Sequence, residues 1–147
     1  MMFNPEHITL DMKGVTQKDV LRELADLANR LGRVTRADKL VENYLQREKE
    51  STTGFGNGIA IPHTKSDNVL QPTILFGRTK NAIDWNSLDG KAVQTVISLL
   101  VPLKESAVHL KLLAKLSRQL VHPDFVHTLK EGSKEKVYIL IKQTIGE

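Results

Sequence analysis

The chain has 147 residues and no cysteine, and its 21 lysines and arginines outnumber 17 aspartates and glutamates to give a formal charge of +4. That length allows one domain with its own core, and the missing thiols exclude a disulfide scaffold, a thiolate metal site and a cysteine nucleophile. No apolar run approaches the roughly 18 residues of a membrane span, the opening Met1 to His7 lacks a signal-peptide layout, and interspersed charges with few aromatics give nucleic acid neither a basic block nor a stacking platform. A cytoplasmic domain with no nucleic-acid partner is expected.

In chain order, Ile8-Thr9-Leu10 reads as a short strand. Thr16 and Asp19 have the spacing of a helix N-cap and its reciprocal acid. Val20, Leu21, Leu24, Leu27, Ala28 and Leu31 then recur with helical period until Gly32. Thr35 with Asp38 marks a second helix start, running to about Lys49 with Leu40, Val41, Tyr44 and Leu45 inward. Its last turn holds Arg47 and Glu48. A cation there suits the helix dipole; the functional alternative is an arginine that reaches a site beyond the turn that follows.

That turn, Ser51-Thr52-Thr53-Gly54-Phe55-Gly56-Asn57-Gly58, leads into apolar Ile59-Ala60-Ile61. The spacing predicts a short buried strand that stops at Pro62, which has no N–H for a sheet. His63 then falls at a strand's carboxyl end, the edge at which open α/β sheets bind ligands. A buried turn histidine satisfied by a carbonyl is the plain alternative. Thr73 to Arg78 reads as a strand, and residues 79–92, punctuated by Asn81, Asp84, Asn86, Asp89 and Gly90, read as turn and loop with Trp85 as a packing anchor. Val93 to Val101, β-branched and nearly continuously apolar, predicts a central strand covered on both faces and closed by Pro102.

From about Ser106 to Val121 a helix places His109, Leu112, Leu113, Leu116 and Leu120 on one face. A helix that follows a central strand starts at that strand's carboxyl end, so His109 and His63 converge if their strands are parallel; a packed core histidine is the ordinary alternative. Pro123 opens a short helix to about Lys130, Gly132 breaks it, and Ser133 caps a last helix to about Gln143. This order predicts an α/β fold, a small mixed β-sheet flanked by helices on both faces, as a single domain over residues 1–147.

Gly58-Ile59-Ala60-Ile61-Pro62-His63, preceded by Arg47-Glu48 and Ser51-Thr52-Thr53-Gly54, resembles the active-site signature of the fructose/mannitol-type enzyme IIA domains of the bacterial sugar phosphotransferase system. The similarity continues through Lys65-Ser66-Asp67-Asn68-Val69, Ile83 to Gly90 and His109 to Ser117, nearly the whole chain. Thr64 departs from the family's usual small residue, and its side chain would either crowd a phosphoryl group or donate a hydroxyl hydrogen bond. The resemblance implies a sandwich of sheet and helices and a phosphotransferase that works through a phosphohistidine at His63, with no cofactor and no metal. It implies HPr as donor, a cysteine of enzyme IIB as acceptor and enzyme IIC at the membrane as an indirect partner, the sugar never touching this domain.

Such a carrier needs one imidazole nitrogen bare while the other holds its proton against an acceptor, and an imidazole with its pKa near 6.5 is mostly neutral in the cytosol. Arg47 and His109 are the candidates to bind the phosphoryl oxygens, with hydroxyls of Ser51 to Thr53 and amides of the glycine turn as further donors. Two visiting proteins call for an exposed, shallow site; Phe55 is the candidate apolar rim, or else an ordinary core aromatic. Two rivals remain. One is a nitrogen-type enzyme IIA regulatory module with the same phosphohistidine. The other is a hydrolase or metal site among His7, His63, His109, His122 and His127, for which neither zinc-protease spacing nor a nucleophile elbow is present.

Overall fold

A computed structural model describes residues 1–147. After a short 3-10 turn at Pro5–His7 come β1 (Ile8–Met12), α1 (Gln17–Arg30), α2 (Ala37–Glu50), β2 (Gly54–Gly56), β3 (Ile59–Ala60), β4 (His63–Ser66), β5 (Thr73–Ile83), β6 (Val93–Pro102), α3 (Ser106–Gln119), α4 (Pro123–Glu131) and α5 (Lys134–Ile145). The six strands form one mixed sheet in the order β1-β5-β6-β3-β2, with β4 also on β6. β5 and β6 are antiparallel, whereas β3 and β4 both run parallel to β6.

The sheet is covered on both faces because β6 is apolar on both. Successive side chains of a strand point to opposite sides, so Val96 and Leu100 meet Leu24, Leu40 and Tyr44 of α1 and α2. Ile97, Leu99 and Val101 meet Leu112, Leu116, Leu129 and Ile141 of α3, α4 and α5. The buried Ser98 hydroxyl is satisfied by Tyr44 Oη. At α1 the capping box forms as the sequence predicts, with Asp19 N donating to Thr16 Oγ1 at 3.1 Å and Thr16 N to Asp19 Oδ2 at 3.2 Å.

Three expectations need correction. Thr35 does not cap α2; Arg36 is the capping residue and uses no side-chain bond. Asn68 takes the role from a distant loop: its Oδ1 accepts both the Thr35 hydroxyl and Arg36 N, and its Nδ2 donates to Arg36 O at 3.0 Å. Second, β5 continues to Ile83, where only turn and loop are expected beyond Arg78. Pairing with β6 slips between Arg78↔Thr95 and Ile83↔Val93, so the polar residues there mark an irregularity inside the strand, with the Thr79 hydroxyl turned onto Asn81 O.

Third, His63 opens a strand instead of closing one. Pro62 cannot donate, but its carbonyl accepts Leu99 N at 3.1 Å. The chain therefore stays beside β6, and pairing resumes with His63↔Leu99 through Ser66↔Pro102. The proline makes a gap in the ladder, not its end.

Candidate functional site

Within the Ile61-Pro62-His63 turn the imidazole folds back, and its Nδ1 lies 2.7 Å from Ile61 O. On the other side of the ring, Arg47 Nε donates to Nε2 at 3.1 Å. A carbonyl can only accept and a guanidinium can only donate. The two partners therefore fix the tautomer: Nδ1 carries the proton and Nε2 presents a lone pair. Burial lowers the pKa of His63 below 6.5; the Ile61 carbonyl opposes this and the Arg47 charge adds to it. The ring is neutral at neutral pH.

His63 is less open than the sequence reading expects, with 6 % of its surface exposed. It lies on the floor of an open depression of about 400 Å³ walled by Asn43, Gln46, Arg47 and Glu50 of α2 and by Lys65, His109 and Leu110. Recession follows from strand pairing on β6 with Arg47 laid across the ring; access is through the depression.

Arg47 is held at the end of α2 because its Nη1 also donates to Ser51 O at 2.8 Å. The next residue, Glu48, fixes the segment that follows. Its carboxylate accepts Thr53 N at 2.9 Å, the Thr53 hydroxyl, and Trp85 Nε1 at 3.3 Å. The Thr52 hydroxyl donates to Trp85 O at 2.9 Å. These bonds correct the expectation of phosphoryl donors at Thr52 and Thr53, whose hydroxyls tie the chain to Trp85 and Glu48 instead, with Trp85 as the anchor the sequence predicts. Two amides of the glycine turn are engaged as well, Gly54 N donating to Thr52 Oγ1 and Asn57 N to Asp89 Oδ2. Sequence pattern alone gives Glu48 no role; the signal that points to it is a buried indole N–H that must find an acceptor.

His109 comes to the same place from α3. Because β4 and β6 are parallel, the first turn of α3 returns over their shared end, and the two imidazole centroids stand 5.3 Å apart at 44°. His109 is 9 % exposed, and its Nε2 is buried without a hydrogen-bond partner. Burial, reinforced by His63, Lys65 and Arg47, pushes its pKa down to about 4. It is a neutral ring facing a neutral ring.

Leu110, 68 % exposed, is the apolar residue at the rim. Phe55 is not; it packs on the core beneath α3 to α5, so its core reading stands. The buried Thr64 points its hydroxyl only at Lys65 O, 3.4 Å away, and donates nothing to His63. The other histidines lie elsewhere: His7 is buried with Nδ1 on Ile74 O at 2.9 Å, His122 precedes α4, and His127 lines a separate depression beside Asn57. An unprotonated Nε2 held by the Arg47 guanidinium with Lys65 in the same depression, and no carboxylate bonded to the ring, is suited to hold a tetrahedral anion once Arg47 gives way.

The chain matches the family model for the phosphoenolpyruvate-dependent sugar phosphotransferase system, EIIA 2, over residues 1–144. It is 38 % identical over 139 residues to the fructose-like EIIA component of this system from Escherichia coli strain K12, spanning 95 % of this chain and 94 % of that one. The crystal structure of the nitrogen regulatory protein IIA-Ntr from Neisseria meningitidis superposes with a TM-score of 0.88 at 31 % identity, covering 95 % and 96 % of the two chains. The complex of enzyme IIAMTL with phosphorylated enzyme IIBMTL from Escherichia coli shares the fold, with a TM-score of 0.80 at 21 % identity over 96 % of this chain and 97 % of that one. No helix here is long and apolar enough to cross a membrane.

Proposed function

The chain belongs to the EIIA 2 family of the phosphoenolpyruvate-dependent sugar phosphotransferase system, and on that premise we propose that it carries a phosphoryl group on Nε2 of His63. The observation that carries this is the tautomer set by Ile61 O and Arg47 Nε. The Nε2 lone pair attacks phosphorus on a phosphohistidine of HPr; the Nε2–P bond forms, the donor's N–P bond breaks, and that electron pair stays with the donor ring. Nδ1 keeps its proton against Ile61 O, which stabilises the positive charge the ring acquires. Arg47 leaves Nε2 and turns its N–H groups to the peripheral oxygens, where charge compensation and positioning do most of the catalysis. The His109 ring, neutral and without a partner at Nε2, contributes a further hydrogen bond to those oxygens.

Onward transfer runs in the opposite sense: a cysteine thiolate of enzyme IIB attacks phosphorus, the S–P bond forms, and Nε2 recovers its lone pair. The solved complex of a fold relative with phosphorylated enzyme IIBMTL supports this recipient. Enzyme IIC is then an indirect partner at the membrane, and the carrier works in the cytoplasm as one domain over 1–147. Incubation with phosphoenolpyruvate, enzyme I and HPr, followed by intact mass, should show one acid-labile phosphoryl group that His63→Ala abolishes. A wild-type mass that does not change sinks the reading.

Similarity to nitrogen regulatory protein IIA-Ntr favours a second reading. The chemistry at His63 is the same, but phosphorylation there controls binding to a partner protein. Transfer to a fructose-type enzyme IIB cysteine supports the transport role; an inert enzyme IIB, with partner binding that follows the phosphorylation state, supports the regulatory one.

A further inference from the structure

Lys65 takes no part in the mechanism above, and the geometry points to it as a second cationic contact, beside Arg47 and the neutral His109, for the phosphoryl group on His63, a role that rests on the phosphohistidine reading. Residues two apart on a strand share a face and sit about 7 Å apart, so His63 and Lys65 of β4 project to the same side. Both line the depression that holds Arg47 and His109. Lys65 Nζ rests 3.2 Å from Ser106 Oγ, at the first residue of α3 and one turn before His109.

That resting contact is weak relative to what a phosphoryl oxygen offers. Neither Lys65 nor Arg47 pairs with a carboxylate, the ion pairs of the chain being Arg22–Asp26 and Arg36–Asp38. The depression, whose one carboxylate is that of Glu50, therefore presents two cations that no carboxylate contacts. No side chain caps the first turn of α3 either, so its free N–H groups add to the positive field there. A dianionic group with three acceptor oxygens placed on Nε2 neutralises this charge, and a charge-assisted bond to it is roughly twice as strong as one to a neutral hydroxyl. Phosphorylation thus draws the ammonium from Ser106 onto an oxygen, opposite in kind to Arg47: a flexible point charge rather than a planar fork.

The test compares wild type, Lys65→Gln and Lys65→Arg, all at an exposed position where the fold tolerates change. Each is phosphorylated with phosphoenolpyruvate, enzyme I and HPr, and the isolated phosphoprotein is followed by ³¹P NMR, by its hydrolysis lifetime and by its phosphoryl equilibrium with HPr. Losing one charge-assisted contact in K65Q should shift that equilibrium toward HPr by roughly tenfold and move the ³¹P resonance, with K65R recovering most of both. The Lys65 Nζ resonance should move on phosphorylation of wild type and stay still in His63→Ala. If K65Q phosphoprotein keeps the wild-type equilibrium, lifetime and ³¹P shift, the inference is overturned even should transfer from HPr slow; Lys65 would then serve a carboxylate on the visiting protein. Wild type that accepts no phosphoryl group overturns the phosphohistidine reading itself, which distinguishes the two failures.

Discussion

Arg47 and His63 share one hydrogen bond, 3.1 Å from Nε to Nε2, which both defines the reactive lone pair and covers it. The resting site is consequently closed to phosphorus until the guanidinium moves. Nδ1 is committed to Ile61 O, so nucleophilic attack has one atom available. Long-range ¹H–¹⁵N correlation of the free protein should show His63 as the Nδ1–H tautomer, and the phosphoprotein should show phosphorus coupled to Nε2. Coupling to Nδ1 would contradict this geometry.

Removing the guanidinium should separate chemistry from stability. Loss of one preorganised donor to developing charge costs roughly 100-fold or more in rate, so Arg47→Ala should accept phosphoryl groups from HPr at least about 100-fold more slowly. Arg47 is half-buried at a helix end, and its loss leaves the buried His63 Nε2 and Ser51 O without this donor, which should lower unfolding free energy by about 1 kcal/mol, well short of the rate effect. The His63 pKa should rise, since the Arg47 charge lowers it. A variant that takes up phosphoryl groups at the wild-type rate would remove Arg47 from the mechanism.

On the proposed reading His109 contacts the phosphoryl oxygens and does not hold the His63 tautomer, which Ile61 O and Arg47 set. His109→Ala should therefore still become phosphorylated at His63 while onward transfer to enzyme IIB slows, by about 10- to 100-fold if one oxygen contact is lost. Single-turnover transfer measures this. Complete loss of acceptance would contradict the division of roles.

Glu48 supports the site from behind. Glu48→Ala leaves Thr53 N and one bond of Trp85 Nε1 unmet, which should cost about 2 kcal/mol. Trp85 is the sole tryptophan, so its emission should shift to the red as the loop loosens, and acceptance should fall because Ser51 O no longer steadies Arg47. An unchanged spectrum and urea midpoint would refute the buttress.

Three histidines, His7, His63 and His109, have pKa values lowered from the ordinary 6.5, in each case chiefly by burial. As pH falls through 6.5 the unfolded chain takes up protons that the folded chain refuses, so stability declines. The loss runs from about 6.5 down to about 4, the value reached by His109, and full stability is present above that window. Urea midpoints at stepped pH should trace the decline, and His7→Gln should flatten it. A midpoint constant between those limits would contradict the assignment of all three as neutral in the fold.

Patterns short enough to repeat along the chain were legible without coordinates. Thr16 with Asp19, the two-sided apolar run of β6, the stripe from His109 to Leu120 and the Gly-rich approach to Pro62-His63 each encode a local geometry through period, cap or missing N–H. From them follow the layers of the sandwich and the convergence of His63 with His109. What only the tertiary structure decided are bonds between atoms remote in sequence: Asn68 capping α2 in place of Thr35, Thr53 and Trp85 converging on Glu48, and Arg47 laid against Nε2. Hydrogen bonds are directional and short-ranged, and a side chain's partner depends on which element the fold brings beside it. Residue types alone named the imidazole; its tautomer had to wait for the carbonyl and the guanidinium that close on its two nitrogens.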